Sequence, residues 1–167
     1  MSIANQVLDP GRYCVVPRTL IFIFDSNEHV LLLKGASSKK IWPGLYNGIG
    51  GHIEAGEDIL ESAKRELREE TGLENIQLNF CGQIMIEVSG SMGIAVFLFR
   101  GDYTDEKIVP SNEGELEWVA LKDLENVPVV EDLPVLVPKI AAHQTCEPAI
   151  IGKYVYDQNG EVNLLFQ

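Results

Sequence analysis

The segment from Gly51 to Leu73 constrains this chain more than any other. It opens as a glycine-containing turn, Gly51-His52-Ile53-Glu54-Ala55-Gly56-Glu57, and runs on to Arg65-Glu66-Leu67-Arg68-Glu69-Glu70-Thr71-Gly72-Leu73. Ile59, Leu60, Ala63 and Leu67 recur at roughly helical spacing, so a helix is expected from about Asp58 or Ile59. Glu57 and Asp58 favour its N-terminus through the helix dipole, and Gly72 is a natural stop after the last turn. On that helix Glu66, Glu69 and Glu70 occupy positions i, i+3 and i+4, which form one face. Like charges so placed repel by about 0.2–0.5 kcal/mol per pair. A cation removes that repulsion, and hard oxygen ligands favour Mg²⁺ or Mn²⁺ over zinc. A merely solvated acidic face accounts for Glu54, Glu61 and Glu74, but not for Arg65 and Glu57 at their offsets from the trio.

The formal net charge of −12 argues against a nucleic-acid polymer as partner, because no Lys/Arg run exists to neutralise a phosphate backbone. An acidic chain can still bind a phosphorylated small molecule if metal ions lie between its carboxylates and the phosphates. Met1 to Val16 has no cationic start before an apolar run, so no secretory signal is expected, and Leu20 to Phe24 is too short to cross a bilayer. Cys14, Cys81 and Cys146 are odd in number and lack CxxC spacing, which favours free thiols in a reducing cytoplasm.

A single domain over 1–167 is expected. Pro17 to Asp25 and His29 to Lys34 suit two strands joined at Ser26-Asn27-Glu28. Gly35 to Leu45 is a polar loop. Tyr46 to Ile53, with Gly48, Gly50 and Gly51, suits a short strand passing close to a ligand. Leu78 to Val88, Met92 to Gly101 and Leu116 to Leu121 are further strands. Leu133 to His143 is a helix candidate interrupted by Pro138, and Lys153 to Phe166 suggests a hairpin around Asn159-Gly160. Strands and helices in this order imply a mixed sheet with a helix on each side.

The motif of Gly51, Glu57, Arg65-Glu66, Glu69-Glu70 and Gly72-Leu73 resembles the Nudix box position for position. The resemblance implies an α+β Nudix fold, an α/β/α sandwich with a central mixed sheet, and a box at 51–73. It leaves 145–167 as a C-terminal extension. It further implies that Glu69 and Glu70 are core metal ligands, with Glu66 a ligand or general base and Gly50 offering its backbone carbonyl. Glu57 and Arg65 are expected to pair and steady the loop against the helix. Many such enzymes add a glutamate from a later loop. Glu113 is the first candidate here, Glu115 the second, and Glu117 alternates with Trp118 on a strand. The implied chemistry is attack of water on a phosphoanhydride, with a monophosphate and pyrophosphate as products of a nucleoside triphosphate. A homodimer is compatible with the family.

Leu45-Tyr46-Asn47-Gly48-Ile49-Gly50-Gly51 is similar to the approach segment of the MutT-type enzymes that destroy oxidised purine nucleoside triphosphates such as 8-oxo-dGTP. That similarity makes Asn47 a base-reading candidate, though an Asn serving the turn before Gly48 is the plainer reading. Thr19 and Lys34 fall where the subfamily has substrate contacts, or else are strand-edge residues in solvent. Glu131-Asp132 match an acidic pair that some members use to read the oxidised base, or Asp132 simply caps the second helix. Trp42 and Tyr46 could stack on a base or pack in the core. Gly51 lies where a ligand would approach. His52 departs from the pattern, which often has Lys there.

The leading expectation is therefore a metal-dependent diphosphohydrolase of a nucleoside di- or triphosphate. One alternative is a nucleotide-sugar or ADP-ribose pyrophosphatase, disfavoured because Val88-Ser89 stands where a proline is common. The other is a non-catalytic nucleotide-binding module, disfavoured because every box carboxylate is present.

Overall fold

The computed structural model describes residues 11–36, 41–109, 114–156 and 162–167. In chain order the elements are β1 (Cys14–Phe24), β2 (His29–Gly35), β3 (Tyr46–Asn47), α1 (Ile59–Thr71), β4 (Asn79–Ser89) and β5 (Met92–Asp102). Then come β6 (Gly114–Ala120), a 3-10 turn (Leu121–Asn126), α2 (Leu133–Ala142), β7 (Ile150–Tyr156) and β8 (Val162–Phe166).

The strands form one mixed sheet in the order β3-β2-β1-β5-β4-β7-β8, with β6 also paired to β2. The β1–β5 and β4–β7 pairs are parallel and the others antiparallel. Strand alternation explains why both faces are covered. Ile21 and Ile23 of β1 project to one side, where they pack with Ala63 and Leu67 of α1. Phe22 and Phe24 project to the other, against Leu133, Leu136, Val137 and Ile140 of α2. The expected α/β/α sandwich with a central mixed sheet is what the chain forms.

Two features position the site. First, β1 and β2 pair only at Ile23↔Leu31 and Phe24↔Val30 and then splay. The approach segment fills the gap: it pairs with β2 at Tyr46 and Asn47, then crosses to β1. Ile49 and Ile21 exchange hydrogen bonds of 3.1 and 2.7 Å, and Thr19 N–H donates to the Gly51 carbonyl at 2.9 Å. The expected continuous strand over Tyr46 to Ile53 is thus only two residues long, because the chain changes partner strand at Gly48. Gly50 makes the crossing possible: its φ is +142°, and a Cβ there would lie 2.3 Å from the Thr19 carbonyl oxygen.

Second, β7 lies very close to β4. A Cβ on Gly82 would lie 2.0 Å from the Ile150 carbonyl oxygen. β7 and β8 pair antiparallel from Gly152↔Phe166 to Tyr156↔Val162. The expected Asn159-Gly160 turn lies outside the described residues.

Smaller corrections have local causes. β1 starts at Cys14 rather than Pro17, since its whole length is in register with β5. Leu60 of the expected apolar stripe is exposed and Ser62 is buried instead, because Ile59, Ser62, Ala63 and Leu67 share the inward face. α2 runs through Pro138, whose ring faces solvent.

Candidate active site

The helix that carries the acidic trio is closed at its N-terminus by side chains and at its C-terminus by a glycine backbone. The Asp58 carboxylate accepts from Leu60 N–H (2.8 Å) and Glu61 N–H (2.9 Å), and Glu61 accepts from Asp58 N–H at 2.9 Å. This reciprocal pair satisfies donors that would otherwise be orphaned. At the far end Gly72 adopts φ +74° and donates to the Arg68 carbonyl at 2.9 Å.

Arg65 ties the preceding loop to this helix. Its Nε and Nη2 donate to the two Glu57 carboxylate oxygens at 2.6 and 3.0 Å, and Nη2 also reaches the His52 carbonyl at 3.0 Å. Glu57 accepts a further hydrogen bond from Glu54 N–H at 3.0 Å. The Arg65 guanidinium, helped by that backbone donor, holds the Glu57 carboxyl down at a pKa of about 2. Arg65 in turn donates Nη1 to Glu66 (2.8 Å) and Glu69 (3.1 Å).

The three trio members differ in environment. Glu69 is half open to solvent. Glu66 fits against Gly51, where an added Cβ would lie 2.4 Å from Glu66 Oε1. Glu70 is buried, and its Oε2 accepts from Gly50 N–H at 2.9 Å. Among the described residues no three carboxylate, His or Cys side chains converge closely enough to form a closed metal cage. The donor set still fits Mg²⁺ or Mn²⁺, because such ions keep several waters and share substrate phosphates with one or two carboxylates.

Next to Glu70 a cleft of about 310 Å³ opens, lined by Arg18, Trp42, Leu45, Asn47, Gly48 and Gly50 among others. It continues into a more apolar chamber of about 270 Å³, whose walls include Ile84, Ile86, Ile94 and Val96 of β4 and β5. Arg18, Trp42, Asn47, Gly48 and Gly50 line both. The chamber's polar side chains are Asn47, Asp132 and Tyr154, with Arg18 as its cation. Thr19 turns its side chain to the α1 face with Ile21, where Oγ1 is buried with no hydrogen-bond partner among the described residues. Asp132 accepts a short hydrogen bond from the Tyr154 hydroxyl. Burial pushes the Asp132 carboxyl upward, against the donation from Tyr154.

The site residues named from sequence are brought together unequally. Asn47 lines both parts of the cleft while its Oδ1 accepts from Gly48 N–H at 2.8 Å, so its amide nitrogen is the end left for a ligand. Asp132 lines the chamber and makes no cap to α2, so the plainer capping role is not what it does. Glu131 is exposed and reaches only the outer mouth. Lys34 is not at the cleft: strand alternation turns it away from Leu33 and Gly35, and Nζ sits 5.4 Å from the Tyr46 ring centroid. Tyr46 is a core residue whose hydroxyl donates to Glu117, which raises its pKa to about 12. Glu113 lies outside the described residues, and Glu115 is exposed on β6. Sequence reasoning missed Arg18, Tyr154 and the β4–β5 isoleucines. No local signal marks them, since only the folding of β5, β4 and β7 beside β1 brings them to one place.

The sequence profile of the NUDIX domain matches residues 16–140. The chain is 34% identical over 107 residues to the "Oxidized purine nucleoside triphosphate hydrolase" of Mus musculus, covering 64% of this chain and 67% of that protein. It is 32% identical over 120 residues to the "NAD-capped RNA hydrolase NudC" of Pseudomonas aeruginosa, covering 70% of this chain and 41% of that one. In structure it is similar to the MutT protein of Bacillus halodurans, with a TM-score of 0.68 at 24% identity over 90% of this chain and 97% of the other. That last likeness speaks for the fold.

Proposed function

This chain belongs to the Nudix hydrolase family, and from that premise we propose that it hydrolyses the diphosphate linkage of a purine nucleoside triphosphate to a monophosphate and pyrophosphate. The observation that carries this is the continuity of the cleft. Its carboxylate end, at Glu70 and Gly50, and its apolar, base-sized end share five lining residues. A nucleotide laid along it spans both. The mouse relative, an oxidised purine nucleoside triphosphate hydrolase by name, supports the same substrate class, 8-oxo-dGTP being one member.

In this reading Glu66, Glu69 and Glu70, with the Gly50 carbonyl, would hold the divalent cation, and Glu113 is a further candidate from its loop. When bound, Mg²⁺ or Mn²⁺ would supply charge neutralisation for the diphosphate. A carboxylate of the trio orients the attacking water and takes its proton as the oxygen–phosphorus bond forms. The bridging anhydride bond breaks, and pyrophosphate leaves. Arg65 donates to Glu66 and Glu69 and orients both carboxylates. Glu57 fixes Arg65. Gly51 admits Glu66 to the floor of the cleft. Arg18, a cation between the two ends, faces the phosphates of the bound chain. Asn47 and Asp132 contact the base. The unpaired thiols of Cys14, Cys81 and Cys146 support a reducing, cytoplasmic setting, and among the described residues no helix is long and apolar enough to cross a membrane.

The test is a kinetic panel of canonical and oxidised purine (d)NTPs with Mg²⁺, run beside ADP-ribose and nucleotide sugars, with the released products identified. Pyrophosphate from a purine triphosphate is expected. Preferential turnover of ADP-ribose, or no turnover of any triphosphate, overturns the proposal. Glu70→Gln keeps an oxygen to accept from Gly50 N–H but lacks the charge. It should lose at least about 100-fold in kcat while its unfolding midpoint stays near that of the wild type.

A further inference from the structure

The base end of the cleft contains a carboxylate whose partner comes from far along the chain. Asp132 lines the chamber and is held by the Tyr154 hydroxyl on Oδ2. Tyr154 comes from β7, beyond residues 16–140 that the family profile matches. The pairing of β7 with β4, through Ile84↔Gly152 and Met85↔Lys153, sets where it stands. The C-terminal segment therefore contributes a side chain to the floor of the chamber.

We propose that Tyr154 is a specificity-determining positioning residue: by donating to Asp132 Oδ2 it orients the carboxylate toward a purine edge bearing adjacent N–H donors. The proposal rests on the nucleotide-binding reading above. An ionised carboxylate only accepts hydrogen bonds. It suits the guanine-type edge, where a ring N–H and an exocyclic amine lie side by side. It opposes an adenine-type edge, whose ring nitrogen at that place is an acceptor. The groups facing Asp132 are Tyr154 from β7, Arg18 from β1, and Glu131 beside it in the chain. Burial and Glu131 disfavour the ionised carboxylate, and the Tyr154 donation favours it. Removing the hydroxyl shifts that balance toward the protonated acid, which presents a donor and loses the preference.

The experiment is calorimetric titration of the full chain with guanosine and adenosine monophosphates, comparing wild type with Tyr154→Phe across neutral and acidic pH. The phenylalanine keeps the ring and its packing. Expected are a wild-type preference for the guanine base, a loss of about tenfold in that preference in Tyr154→Phe, and an acid-side decline in guanosine binding that moves to higher pH in the variant. Equal losses for both bases, an unmoved pH profile, or no wild-type preference would overturn the inference. Triphosphate hydrolysis is measured separately. Absent hydrolysis with the preference shift intact sinks the reaction and spares Tyr154; normal hydrolysis with an unmoved preference does the reverse.

Discussion

At the scale of single residues, the site depends on where glycine leaves room and where arginine places charge. Gly51 is the sharpest case. Its missing Cβ is the space in which the Glu66 carboxylate lies. Gly51→Ala forces Glu66 aside by roughly an ångström, and misplacement on that scale costs about 100-fold; kcat/KM should fall accordingly while circular dichroism stays unchanged. Glu57 gives a pH prediction. Its folded pKa of about 2 lies below the ordinary 4.5, so the stability it contributes is present above pH 4.5 and is lost as pH falls from there through about 2. Glu57→Gln should flatten the decline of unfolding free energy across that window; a profile identical to the wild type would remove the Arg65 pair from the acid response. The 57/65 pairing could be read from the sequence, because the motif fixes the offset. The turning of Lys34 onto Tyr46 could not, since which face of β2 meets the cleft depends on β3 and β6 packing beside it.

At the scale of elements, α1 is the most self-determined part of the molecule. Its extent and glycine stop were visible in one short stretch of sequence; the Asp58–Glu61 capping box, and Ser62 rather than Leu60 on the inward face, were not. Apart from the strand expected over Tyr46 to Ile53, the strands and their hairpin neighbours were placed from sequence, but the β1–β5, β2–β6 and β4–β7 pairs were not. β7 shows why this matters for the site. Gly82 has φ +152°, and its close approach to Ile150 lets β7 join β4. Gly82→Ala should destabilise the fold by about 2 kcal/mol through overpacking. It should also weaken guanosine monophosphate binding, because Tyr154 moves with β7. A variant that melts lower but binds the nucleotide as tightly as wild type would show that β7 does not position the base pocket.

For the whole molecule, β1 organises everything. Its alternate side chains serve two cores, its open edge pairs with the approach segment, and Arg18, Thr19 and Leu20 line the chamber. The net charge of −12 then sets the terms on which an anionic nucleotide enters. Arg18 alone cannot offset it, so cation and nucleotide should bind cooperatively. Mg²⁺ with guanosine monophosphate at about 100 times its Kd should raise stability by roughly 2.7 kcal/mol, or about 5–10 °C in Tm for a chain this long. Chelation should return Tm most of the way to the ligand-free value. An equal rise with nucleotide alone would remove the ion from binding.

The sequence by itself determined the helix, its glycine stop, the three carboxylates on one of its faces and the glycines beside them. It could do so because helix geometry relates residues three and four apart without reference to the rest of the chain. Only the tertiary structure decided that Asp132 is held by Tyr154 rather than capping α2 with its side chain, and that the chamber it lines adjoins the cleft beside Glu70. Those relations join β1, the approach segment, the turn before α2 and β7. They depend on the splay of β1 from β2 and the close seating of β7 on β4, which no spacing along the chain encodes.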